Sequence, residues 1–161
     1  MSTCPPLISG HSAITVDYGM TFEEMIAAGR YQSKNVDIDI RRFPLNGQGI
    51  VEYESRIFHF KREITSEQAS ELIRSDDRTD PWTPASVEHL LAYADQNSGE
   101  NRNYPLVGLG FVGEVVGHRR VPYLGRDVSQ RVLYFLWWVF DWDEDCRFLA
   151  VRKKNPTEAA R

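Results

Sequence analysis

VGLGFVGEVVG, Val107 to Gly117, admits two opposed folds, because Gly108, Gly110 and Gly113 stand at the G-x-G-x-x-G spacing of a dinucleotide-binding turn. That chemistry needs a strand before the glycines and a helix after them, whose N-terminal N–H groups and dipole hold the pyrophosphate. The residues after Gly113 are EVVGHRRVPY. Adjacent β-branched Val115 and Val116, followed by Gly117 and Pro122, oppose a helix of useful length. Read with the two-residue period of a strand, Val107, Leu109, Phe111 and Val115 face one way, and Leu106, Gly108, Gly110 and Val112 the other. The glycines then mark places where an aromatic side chain or a helix packs closely on an extended chain. No cofactor is expected at them.

Upstream, TFEEMIAAG reads as a short helix with a capping box between Thr21 and Glu24 and Gly29 as its stop. VDIDIRRF alternates Val36, Ile38 and Ile40 with Asp37, Asp39 and Arg41, a strand with one wet face. IVEYESRIFHF, from Ile50, is a strand or a bent pair of strands. Thr65 or Ser66 can cap a helix through EQASELIRS, and DDRTD connects it to the next. Thr83 is expected to cap that second helix, with Pro84 at its first position, and Val87, Leu90, Leu91 and Ala94 share the side that should face the sheet.

Downstream, YPLVGLGFVGEVV and VPYL read as extended with GHRR as a turn. RVLYFLWWVF is a strand, DWDED a solvated hairpin turn, and RFLAVRK a closing strand. Helices in the first part and strands in the last argue for one α+β domain: an antiparallel sheet packed against two or three short helices, not alternating βαβ units. The ends, near 1–10 and 154–161, are expected to be loose.

A hydrophobic fraction of 42% with 26% charged residues fits a globular chain, and four Trp, seven Tyr and eight Phe oppose general disorder. The formal net charge of -4 gives no broad attraction to a phosphate backbone, so nucleic acid is not an expected partner. The N-terminus lacks a basic segment followed by an apolar one, and VLYFLWWVF is about half the length of a membrane-spanning helix. Both features point to the cytoplasm. Two cysteines, Cys4 and Cys146, are too few for a disulfide framework, and Cys146 reads as a buried or half-buried thiol.

The adjacent pair Glu88 and His89 invites a catalytic reading as acid and base. Neighbouring helix positions point in different directions, and surface or boundary packing is the reading weighed against it. Arg119 with Arg120, and Arg152 with Lys153 and Lys154, could each anchor an anion or lie solvated at a turn and a strand end. Trp137 and Trp138 are binding candidates on the aromatic strand. DWDED superficially looks like a calcium loop, but Cys146 stands where a glycine is needed and Arg152 where a bidentate glutamate is needed. His11, His59, His89 and His118 are scattered without zinc spacing, so no metal is expected.

The stretches WTPASVEHLLAYA from Trp82, YPLVGLG from Tyr104, VPYL from Val121 and RFLAVRK from Arg147 together resemble small uncharacterised bacterial proteins over roughly the C-terminal half. The resemblance implies a bacterial cytosolic origin and carries no activity and no catalytic residue.

The lack of a coherent catalytic set favours a protein-binding or regulatory module over an enzyme. The alternative is an enzyme or small-molecule binding protein with a pocket built from dispersed residues. Leu133, Phe135, Trp137 and Val139 line one face of the aromatic strand, and Val132, Tyr134, Leu136, Trp138 and Phe140 the other. If the helices cover one face, the other needs apolar cover, so a homodimer with Arg131 to Phe140 near its interface is expected; an internal strand in a monomer is the competing arrangement.

Overall fold

The residues that follow Gly113 are extended. In the computed structural model, which describes residues 7–8, 12–21, 24–25, 33–34, 48–96, 105–110, 113–115, 118–125, 132–138 and 141–153, Gly113–Val115 pairs as a strand with His118–Arg120. The strands are β1 Leu7–Ile8, β2 Ser12–Asp17, β3 Ser33–Lys34, β4 Ile50–His59, β5 Thr83–Pro84, β6 Leu106–Val107, β7 Gly113–Val115, β8 His118–Leu124, β9 Val132–Trp137 and β10 Arg147–Lys153. Among the described residues two helices of ten residues form, α1, Ser66–Ser75, and α2, Val87–Gln96. The expected strand at 36–43 lies outside the described residues.

One sheet runs in the order β1-β4-β10-β6-β8-β9-β3, with β2 also on β4, β5 on β10 and β7 on β8. The α+β class holds, and the sheet is mixed: β6 runs parallel to β10 and β3 parallel to β9, while the other pairings are antiparallel. Ile50–His59 is a single ten-residue strand. Leu7 and Ile8, inside the stretch expected to be loose, pair with His59 and Phe58.

The sheet has a helix on each face. On one, Tyr53 and Ile57 of β4 and Leu149 and Val151 of β10 pack with Val87, Leu90, Leu91 and Ala94, the predicted inner side of α2. On the other, Phe58, Phe60, Phe148 and Ala150 pack with Ala69 and Ile73 of α1, and with Trp82 and Trp142. Successive strand residues point to opposite faces, so Phe148, Leu149, Ala150 and Val151 are all buried. That is why RFLAVRK carries a continuous apolar run rather than an alternation.

β10 is accordingly a central strand, and the expected hairpin between it and β9 does not form. β6 and β8 stand between them, and DWDED is a crossing connection. Its Trp142 is fully buried, and its backbone exchanges hydrogen bonds with Ile64 at 2.8 and 2.9 Å. The four acids remain exposed around it. Asp143 Oδ1 accepts from the N–H groups of Asp145 and Cys146 at 2.9 and 3.2 Å, closing a local turn. Asp143→Asn, which keeps an acceptor oxygen, should change stability by less than about 0.5 kcal/mol, and Asp143→Ala should cost about 1 kcal/mol. Urea denaturation of both variants checks this; equal costs would show that the charge, not the turn, matters.

α1 begins at Thr65, whose hydroxyl accepts from the Gln68 N–H while Gln68 Oε1 accepts from the Thr65 N–H, both at 3.1 Å. Glu24 and Met25 are helical behind the predicted Thr21–Glu24 capping box. Thr83 does not cap α2. Thr83 and Pro84 instead pair with Val151 and Ala150 of β10, where an edge strand tolerates the missing proline N–H, and α2 starts three residues later. His118–Arg120, expected in a turn, belongs to β8.

This edge explains the glycines. Gly110 N–H donates to Ala85 O at 2.8 Å, and a Cβ on Gly110 would stand 2.0 Å from Pro84 O. A Cβ on Gly108 would stand 2.8 Å from both Ala85 O and Leu90 Cδ1. The two glycines let α2 and the segment before it lie directly on the chain after β6.

Candidate functional site

Glu88, Leu91, Ala92, Asp95 and Gln96 recur at helical spacing along one side of α2 and face β2. With Thr15, Val16, Asp17, Met20, Met25 and Ile50 they enclose a pocket of about 310 Å³. The end of β2 is shaped by a tight turn: Asp17 O accepts from Met20 N–H at 3.1 Å, and Asp17 Oδ1 from Gly19 N–H at 2.9 Å. Tyr18 N–H donates to Gly49 O at 2.8 Å, with Gly49 at a φ of 69° that suits glycine. At the other end, Gln96 caps the outer edge of β2: its Oε1 accepts from Thr15 N–H at 2.9 Å, and its Nε2 donates to Thr15 O at 2.6 Å.

This turn brings Tyr18 to Tyr53 of β4, with hydroxyl oxygens 2.9 Å apart, and Tyr18 also hydrogen-bonds Glu88. Either tyrosine hydroxyl can donate to the other. Burial, then the Tyr53 bond and the Glu88 charge, push the Tyr18 hydroxyl far above the usual phenol range; burial also raises Tyr53. Both remain protonated donors. The Glu88 side chain beside Tyr18 is only 2% exposed.

His89 is buried too, at 8% exposure, so neither member of the predicted pair is a surface or boundary residue. Its position is structural. His89 Nδ1 accepts the Ser86 N–H at 2.9 Å, which places the ring proton on Nε2, and the ring stands edge-on to Tyr53 at 4.5 Å between centroids. Burial pushes the imidazole down to about 4. Glu88 lines the pocket while His89 packs against the ring of Tyr53 and is absent from the pocket wall, so the structure does not bring the two together as acid and base.

The other candidates distribute as follows. Trp138 is half-buried beside α1: its Nε1 donates to Glu67, and its carbonyl accepts from Ser66 Oγ at 2.8 Å. It borders a groove of about 460 Å³ with Glu67, Ser70, Glu71, Arg74 and Ser75. The backbone of Arg120 lies opposite Trp137 in the β8–β9 pair, and Arg119 opposite Glu114; the side chains of Arg119, Arg120 and Trp137 are outside the description. Arg152, a possible anion anchor, is already engaged by carboxylates: Glu54 at 2.7 Å, Asp77 at 3.3 Å and Asp80 at 3.4 Å, with its guanidinium 4.2 Å over Trp82. It pins the connector after α1. Hydrogen bonds from the Thr79 hydroxyl and the backbone of Asp80 and Thr79 hold the Asp77 carboxyl below its usual range.

Cys146 is buried on the α1 face, and burial, reinforced by Asp143, pushes its thiol up to about 12, leaving little thiolate for nucleophilic chemistry. Among the described residues no three of His, Cys, Asp and Glu converge as a metal-holding group. No helix among them is long and apolar enough to cross a membrane. Tyr18, Tyr53, Asp17 and Asp95 were not singled out from sequence. The acid-bracketed stripe from Glu88 to Asp95 was the available signal for one wall of the pocket. No family model matches this chain, and no curated protein and no solved structure shows significant similarity to it.

Proposed function

We propose that the chain is a small-molecule binding protein whose ligand is an organic cation with an apolar body, seated between α2 and β2. The observation that carries this reading is the lining of the pocket: Val16, Met20, Met25 and Leu91 supply apolar wall, Asp17, Glu88 and Asp95 supply carboxyl groups, and none of the described lining residues is basic. A mostly apolar concavity with a few fixed polar groups is the usual form of a small-ligand site. Hydrogen bonds to charged groups contribute about 1.5–3 kcal/mol each, so a protonated amine gains more here than an alcohol of the same shape. The carboxylates are spread around the wall instead of converging on a point, which suits an extended cation over a metal ion.

Protein docking finds less support among the described residues. Their one strongly exposed large hydrophobic side chain, Ile50, stands on the rim of this pocket. Catalysis would need a partner for Glu88 facing the pocket, and neither His89 nor Cys146 lines it.

A thermal-shift panel of alkylamines, alcohols and carboxylates matched in apolar body tests the proposal. Amines should raise Tm and the matched alcohols and carboxylates should not. Ala92→Trp, which fills the pocket from a half-buried position, should abolish the shift, and Glu88→Gln should weaken it about tenfold or more in affinity. Equal shifts from amines and alcohols, or a shift that survives Ala92→Trp, would refute the reading.

A further inference from the structure

On the reading of the pocket between α2 and β2 as a site for an organic cation, we propose that its ligand also carries a carbonyl, as in an amino amide, and that the carbonyl oxygen accepts the outward N–H of Asp17. Thr15, Val16 and Asp17 all line the cavity. Successive side chains of a strand point to opposite faces, so a cavity that touches three residues in a row wraps the edge of the strand and meets its backbone. One edge of β2 is closed by β4, which leaves the outer one.

Hydrogen bonds fix which groups that edge presents. Tyr18 N–H donates to Gly49 O on the β4 side, whereas Thr15 turns its N–H and C=O away from β4, where Gln96 takes both. Residues of an antiparallel pair alternate between bonding the neighbouring strand and facing away from it, so Asp17, two residues after Thr15, faces outward as Thr15 does. The Asp17 carbonyl is engaged by Met20 N–H in the turn. Its N–H meets no acceptor among the described residues, and Asp17 is half-buried. A ligand acceptor satisfies such a donor at a net gain.

The edge is therefore a donor between two blocks, with Gln96 at Thr15 on one side and the turn from Asp17 to Met20 on the other. A ladder of peptide bonds has no room to grow from it, so a small molecule with one acceptor fits better than an added strand. The carboxyl groups of Asp17, Glu88 and Asp95 suit the amine of the same molecule. A carboxylate on the ligand would also accept the Asp17 N–H, but it would stand among three acids. A neutral carbonyl supplies the acceptor without the like charge.

Calorimetric titration of the full chain with ω-amino amides of increasing length, each against the alkylamine matched in length, tests this. At the fitting length the amide should bind about threefold tighter or more, and the matching ω-amino acid should lose that gain. In the amide correlation spectrum of the wild type, the Asp17 proton should move downfield with the amino amide and not with the alkylamine. Asp17→Pro removes the N–H at an edge position that tolerates proline, and Asp17→Ala removes the carboxyl while keeping the N–H. Both variants should weaken every amine, but only Asp17→Pro should also abolish the preference for amides. Alkylamines that match their amides at every length, an amide preference that survives Asp17→Pro, or an unmoved Asp17 proton in the wild type would each overturn the proposal and leave the amine reading standing. Absence of binding by any amine defeats both. A blocked tripeptide with lysine at its centre carries the same groups on a longer chain, and tighter binding of it than of the amino amide would overturn the assignment to a small molecule.

Discussion

Acidification from about pH 7 to about pH 4 should cost the wild type about 3 kcal/mol more stability than it costs a His89→Gln variant. The ordinary value of 6.5 for this imidazole falls to about 4 in the folded chain because burial disfavours the cation. Between those values the unfolded chain binds a proton that the folded chain does not, so stability falls as pH falls through that window. Above it both states are neutral, and below it both are charged, so the loss is confined to the window. The structural cost of protonation is specific: a charged ring must place a proton on Nδ1, which then can no longer accept the Ser86 N–H at the start of α2. Glutamine at this position keeps an acceptor three residues after Ser86 and does not titrate, as in a capping box. Denaturant unfolding at several pH values gives both profiles; parallel curves would mean that the folded chain does not hold His89 neutral.

Gly110→Ala should destabilise the chain by about 3 kcal/mol or more, or prevent folding. The added Cβ would stand 2.0 Å from Pro84 O and 2.9 Å from the Ala85 carbonyl carbon, and both obstacles are backbone. Relief therefore requires β5 to separate from the chain after β6, which also removes the 2.8 Å bond from Gly110 N–H to Ala85 O. Gly49→Ala is the control. Its Cβ would meet nothing within 4 Å, and the positive φ alone should cost about 1 kcal/mol. Thermal melting of both variants distinguishes steric from conformational cost. If they lose the same stability, the close approach at Gly110 is not what the glycine is for.

The glycine stretch was legible because its two readings make opposite demands on local sequence, and two valines, a glycine and a proline exclude the helical one. The caps at Thr21 and Thr65 and the inner side of α2 were legible for the same reason: each depends on residues three or four positions apart. Thr83–Pro84 was not, since a proline after threonine suits a first helical turn as well as an edge strand, and only the neighbouring β10 decides between them. DWDED has the composition of a hairpin turn, and what makes it a crossing connection is the bridge from Trp142 to Ile64, far away in the chain. The site divides along the same line. Its α2 wall was present as a helical stripe, whereas the union of Tyr18, Tyr53 and Glu88 depends on a strand pairing and a turn that no local pattern displays.

Gln96 has a bearing on what the sheet can become. Thr15 presents its N–H and C=O away from β4, and an unpaired site of that kind is a template on which another extended chain can grow, the first step toward cross-β assembly. The Gln96 amide occupies both groups with the donor and acceptor that an incoming strand would bring. It belongs to the last turn of a helix, where fraying begins, so the guard against aggregation at this point is only as durable as the final turn of α2.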